Sequence, residues 1–132
     1  MIHRGRVFIT ALAAAMLGAG AVHAQPDGKA LFGQSCAACH QATGKGIPGA
    51  FPALAGDAFV VGPGGPVASV VLNGRGGMPT FGKDLSNEEI AAILSYVRTS
   101  WGNHAGPLTP KTVESARNAG NRQEKPLQVQ AH

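Results

Sequence analysis

Both cysteines of the chain fall in one turn, "SCAACHQATG" at residues 35–44, and a histidine follows the second directly. Two thiols three residues apart serve three chemistries: a disulfide redox couple, half of a zinc site, or covalent attachment of haem. A zinc site needs two more ligands at matching spacing, yet beyond residue 24 there is no other cysteine and only His104 and His132 besides His40. A thiol-disulfide enzyme of the thioredoxin kind requires the motif beside a βαβ pattern, which this chain lacks. A structural disulfide across so short a loop adds little and leaves His40 unexplained. Haem attachment uses all three residues. Cys36 and Cys39 reach the two vinyl groups along one porphyrin edge as thioethers, and His40 carries its imidazole under the iron.

An iron held by His40 on one face needs a ligand on the other. Beyond residue 24 the chain has one methionine, Met78, in "GRGGMPTFG". A lone methionine is ordinarily a gap-filler in a core. Here glycines on one side let backbone approach a flat ring, and Pro79 on the other stiffens the loop. A thioether is a soft ligand that favours ferrous iron and raises the reduction potential. His104 is the competing ligand, and as a residue just past a helix it is expected to be solvated.

The elements that must position these groups are helical. Asp27 to His40 has the spacing of a helix running into the cysteine turn, and residues 42–65, rich in Gly and Pro, are expected to be loop. "PVASVVLNG" predicts a short helix, with Pro66 in its first turn and Gly74 at its stop. In "SNEEIAAILSYVRTSWGN", Ser86 and Glu89 form a capping box, and Ile90, Ile93, Leu94 and Val97 fall on one face, with Gly102 and Asn103 expected to end the helix. "TPKTVESAR" predicts a short capped helix ahead of a polar, disordered end. No strand and no internal repeat is evident.

His3, Arg4 and Arg6, the apolar run Val7 to Leu17, and small residues at Val22 and Ala24 predict an export signal over residues 1–24, removed before Gln25. The apolar run is shorter than the ~20 residues of a spanning helix, and no later segment is expected to span a bilayer. Of the 132 residues, 108 then remain, and losing the two arginines takes the net charge from +4 to +2. That balance is too weak to argue for nucleic acid. Aromatic residues are scarce and glycines abundant, so side chains alone make a thin core. A haem supplies what is missing.

"CAACH", "FPAL", "GGMP" and "EIAAILSYVR" together resemble the class I cytochromes c, small monohaem proteins of all-α fold with short helices and long loops around one covalent haem. The resemblance covers about residues 27–102 and implies a cytochrome domain over 25–106, with 107–132 as a tail. It implies that the Pro52 carbonyl accepts the proton on the free nitrogen of His40. It also implies that the first and last helices cross at Gly28, against Tyr96, with Phe32 and Ile93 alongside. Between Leu54 and Pro66 the chain departs from the family pattern, and Trp101 is expected to pack beside the helix end.

The implied function is electron carriage in the periplasm, with iron cycling between Fe(III) and Fe(II). No open coordination site is left for a substrate. Electrons are expected to leave at the haem edge around Ala37, Ala38, Met78, Pro79 and Phe81, with Phe81 against the haem. Lys45, Arg75 and Lys83 are expected to steer an acidic redox partner. The partners implied are a periplasmic dehydrogenase, a membrane cytochrome complex or a terminal oxidase. The alternative is an electron-accepting subunit bound to a dehydrogenase or oxidase.

Overall fold

Asp27 sets the start of the first helix, its carboxylate accepting the N–H groups of Lys29 and Ala30 at 3.0 and 3.1 Å. The computed structural model describes residues 24–129; the leader expected over 1–24 lies outside them except for Ala24, as does His132. Helix α1 (Gly28–Ser35) is followed by the single turn α2 (Ala37–His40), then α3 (Gly64–Asn73), α4 (Asn87–Thr99) and α5 (Pro110–Val129). The described residues contain no strand, only two isolated antiparallel bridges, Ile47 with Phe51 and Arg75 with Met78. None of the described helices is long and apolar enough to cross a membrane.

One helix was expected from Asp27 to His40, and the structure breaks it at Cys36. That residue lies at φ −124°, off helical geometry, closing α1 through its N–H to the Phe32 carbonyl at 2.9 Å and opening α2 through its own carbonyl. The break gives Cys36 and Cys39 their own turn.

Helix α4 has the expected capping box, with Ser86 Oγ accepting from the Glu89 N–H at 3.1 Å and the Glu89 carboxylate from the Ser86 N–H at 2.8 Å. It ends at Thr99, earlier than Gly102 and Asn103. Ser100 turns extended, and Trp101 and Gly102 follow at φ 53° and 85°, which forces the chain back. Helix α3 stops at Gly74 as expected.

The core has two parts. Phe32, Val60, Ile93 and Val97 form one under the crossing of α1 and α4; Val67, Ala68, Leu72, Ile90, Ala91, Leu94 and Val113 form the other among α3, α4 and α5. At the crossing a Cβ on Gly28 would run into the Ala92 carbonyl, its carbon only 2.5 Å away, so the two backbones touch where the resemblance implied. Tyr96 meets Phe32, the rings 5.6 Å apart, and Trp101 completes a three-ring cluster at 5.2 and 5.5 Å.

The expectation of a short helix and then a disordered tail is corrected at its first part. Helix α5 is 20 residues long, and Val113 is fully buried in the second core cluster. The first turns of the segment set apart as a tail thus pack into the same core as residues 25–106.

Candidate haem site

His40 ends α2 and is 8 % exposed. Its Nδ1 lies 2.9 Å from the Pro52 carbonyl, which can only accept, so the proton sits on Nδ1 and the lone pair on Nε2. Among the described residues Nε2 has no hydrogen-bond partner.

The Pro52 carbonyl is delivered by a loop folded back on α2. Gly46 donates to the His40 carbonyl at 2.9 Å, Ile47 and Phe51 exchange bonds at 2.9 and 2.8 Å, and Leu54 and Ala55 donate to the Gly44 carbonyl at 2.7 and 3.0 Å. Gly46 stands at φ +63°, and a Cβ there would reach the Phe51 carbonyl and lie 2.5 Å from the Pro52 oxygen. Only glycine serves both the turn and the close approach. An open hollow of about 370 Å³ runs along Lys45 and Pro48 to Ala53.

Cys36 and Cys39 are both free and half-buried. Burial, and after it the neighbouring Cys39, push the Cys36 thiol up to about 11. A redox Cys-x-x-Cys pair works through a thiolate of lowered pKa, so this environment opposes that use.

Met78 stands on the loop after α3. Arg75 and Met78 close a four-residue turn, with Arg75 N–H to Met78 O at 3.3 Å and Met78 N–H to Arg75 O at 3.0 Å. Gly74, at φ +74°, abuts the Met78 carbonyl, where a Cβ would come within 2.5 Å. The Arg75 guanidinium lies over the Phe59 ring, 4.4 Å from its centroid. Phe81 is half-buried and donates its N–H to the Val71 carbonyl at 3.0 Å.

These residues fit a haem by their chemistry. The donor set is two thiols, an oriented imidazole and a thioether. Four large apolar side chains, Ile47, Phe51, Phe59 and Val61, stand 37–40 % exposed on the loops that carry Pro52 and face Arg75, surface that a flat apolar group would cover. The structure brings His40 and Pro52 together directly and sets Met78 and Phe81 on a separate loop. His104 is exposed, as expected of a solvated residue.

Three residues in this region carry structure that the sequence did not reveal. Arg98, buried on α4, donates to the carbonyls of Val60 (2.6 Å), Gly62 (2.8 Å) and Gly106 (2.9 Å) and so shapes the irregular 54–66 stretch. Asn103 ties Leu54 and Gly56 to the end of α4, its Nδ2 donating to the Leu54 and Val97 carbonyls at 3.0 and 2.9 Å and its Oδ1 accepting from Gly56 at 2.8 Å. Arg117, on α5, reaches the segment after Met78. Trp101 packs beside the helix end, its Nε1 donating to the Ala42 carbonyl at 3.1 Å.

Residues 23–97 match the family model described as cytochrome c oxidase, cbb3-type, subunit III. Cytochrome c-552 of Thermus thermophilus is 34 % identical over 140 residues, 92 % of this chain and 93 % of the relative. The chain is a class I c-type cytochrome. Its fold is the small all-α cytochrome c fold, its cofactor is haem c, and its function is electron transfer. The cytochrome is also 35 % identical to the cytochrome c subunit of a quinone alcohol dehydrogenase from Gluconacetobacter polyoxogenes and 35 % to a fructose dehydrogenase cytochrome subunit from Gluconobacter japonicus. These alignments take in 80 % and 71 % of this chain but 25 % and 22 % of those subunits.

Proposed function

We propose that Cys36 and Cys39 bind haem c as thioethers, that His40 and Met78 ligate its iron from opposite faces, and that the exported protein passes single electrons between redox proteins of the periplasm. The bond from His40 Nδ1 to the Pro52 carbonyl carries this reading, because it frees Nε2 for a metal and makes the imidazole a stronger donor. The haem supplies a one-electron Fe(III)/Fe(II) couple. His40 would hold the iron through an imidazole of fixed orientation, and Met78 would add a soft sulfur that favours the ferrous state, the two serving electron transfer rather than substrate binding.

Export rests on the leader at 1–24. Ala38 and Pro79 are exposed and Ala37, Met78 and Phe81 half-buried, and together they are the residues assigned to the haem edge. Lys45, Arg75 and Lys83 are exposed as well and suit an acidic partner: a periplasmic dehydrogenase, a membrane cytochrome complex or a terminal oxidase.

The far-red sulfur-to-iron absorption of the oxidised protein tests the ligand set. It is expected in wild type and absent from Met78→Ala, and its absence from wild type rejects Met78. Mass spectrometry of the peptide holding Cys36 and Cys39 tests the attachment. A second reading, an electron-accepting subunit bound to a dehydrogenase, is favoured by the dehydrogenase cytochrome subunits among the relatives. Co-purification with a large subunit separates it from the diffusing carrier.

A further inference from the structure

The chain leaving Met78 is fastened from two sides. Phe81 and Gly82 donate to the Val71 and Leu72 carbonyls at 3.0 and 3.1 Å, late acceptors of α3 that the helix itself leaves open. These bonds close residues 73–80 into a loop that contains Met78. From the other side comes α5, which lies beyond the 23–97 region of the family match. Arg117 donates from Nη1 to the Gly82 carbonyl, from Nη2 to the Leu85 carbonyl at 3.2 Å and from Nε to Asn87 Oδ1 at 3.0 Å. The fork is aimed because Val113, one turn earlier, is buried beside Leu72, Ile90 and Leu94.

We propose that Arg117 is a positioning residue for Met78, with α5 acting as a latch on the base of the Met78 loop that sets how readily the sulfur leaves the iron. The inference rests on the ligand set proposed above. To swing the thioether away, the loop must loosen at Phe81 and Gly82, the point the guanidinium grips. A charged donor in a rigid fork resists that more than a neutral amide or a flexible ammonium.

The test titrates the ferric holoprotein with imidazole, an external ligand that replaces methionine only when the loop opens, and follows the sulfur-to-iron band. Arg117→Gln is expected to bind imidazole about tenfold more tightly, the equivalent of one charge-assisted hydrogen bond lost. Arg117→Lys should fall between, and it carries the test if the glutamine variant yields no holoprotein. Gly28→Ala is the control, since it loosens the crossing of α1 and α4 without touching α5 or the loop. It should lower the unfolding temperature with imidazole affinity unchanged. Unmoved affinity in the Arg117 variants overturns the latch alone. Affinity rising in both sites in proportion to lost thermal stability overturns it too, leaving a structural role. A wild type without the sulfur band removes the ligand set itself, and the latch with it.

Discussion

Adding one methyl group at Gly28 separates two opposed effects. On helix propensity alone, Gly→Ala in α1 favours folding by up to ~1 kcal/mol. At Gly28 the new carbon would sit 2.5 Å from the Ala92 carbonyl carbon, against 3.4 Å or more in ordinary contact, so α1 and α4 must part by about 1 Å. Such a gap forfeits roughly a quarter to a half of the contact energy across it. The side chains it loosens are Phe32, Ile93 and Val97, each worth ~1.5–3 kcal/mol when buried. The loss is then about 1–4 kcal/mol, larger than the propensity gain. Gly33 lies on the same helix with nothing within 4 Å of its Cβ position, so Gly33→Ala keeps the gain without the clash. Thermal unfolding of the haem-loaded proteins, followed at the Soret band, should place Gly28→Ala below wild type, with Tm lower by roughly 10 °C, and Gly33→Ala at or above it. Equal stability of the two variants would refute the close crossing.

Three further perturbations reach the site and its frame. Gly46→Ala pushes on the Pro52 oxygen, weakens its bond to His40 and makes the imidazole a poorer donor; the reduction potential should rise by up to about 40 mV, one net hydrogen bond of ~1 kcal/mol, as read by spectroelectrochemistry. Arg98→Ala strands the carbonyls of Val60, Gly62 and Gly106 and should cost about 3 kcal/mol in chemical denaturation, with Arg98→Lys a poor rescue because an ammonium lacks the fork. Lys45→Gln with Lys83→Gln should slow reduction by an acidic partner at low salt and leave the high-salt rate unchanged in stopped flow; a rate indifferent to ionic strength rejects steering.

The features legible in the sequence are those written in neighbouring residues. The capping box of Ser86 and Glu89, the stop at Gly74, the apolar face of α4 and the Cys36, Cys39 and His40 turn all operate within a few positions. The resemblance added contacts that spacing cannot supply, the Pro52 carbonyl on His40 and the crossing at Gly28. Arg98, Asn103 and Arg117 escaped both routes. Apart from Asn87 Oδ1, their partners are backbone carbonyls and amides, mostly some 30–50 residues away, and a carbonyl is the same at every residue, so nothing at the acceptor marks it. Helix α5 was underestimated for a related reason. Among its described side chains the apolar anchor is Val113 and the half-buried Ala116, a sparse stripe that does not distinguish a docked helix from a solvated tail. The break at Cys36 was also hidden, because the apolar spacing of α1 continues through it.

The half-buried sulfur at Cys36 constrains biogenesis. Its side chain leans against the cluster of Phe32, Ile93 and Val97, and burial there raises the pKa of the free thiol. Addition across a vinyl group uses an accessible thiolate, which that burial disfavours. On the attachment proposed above, the carbon–sulfur bond at Cys36 would therefore form most readily before α1 docks on α4.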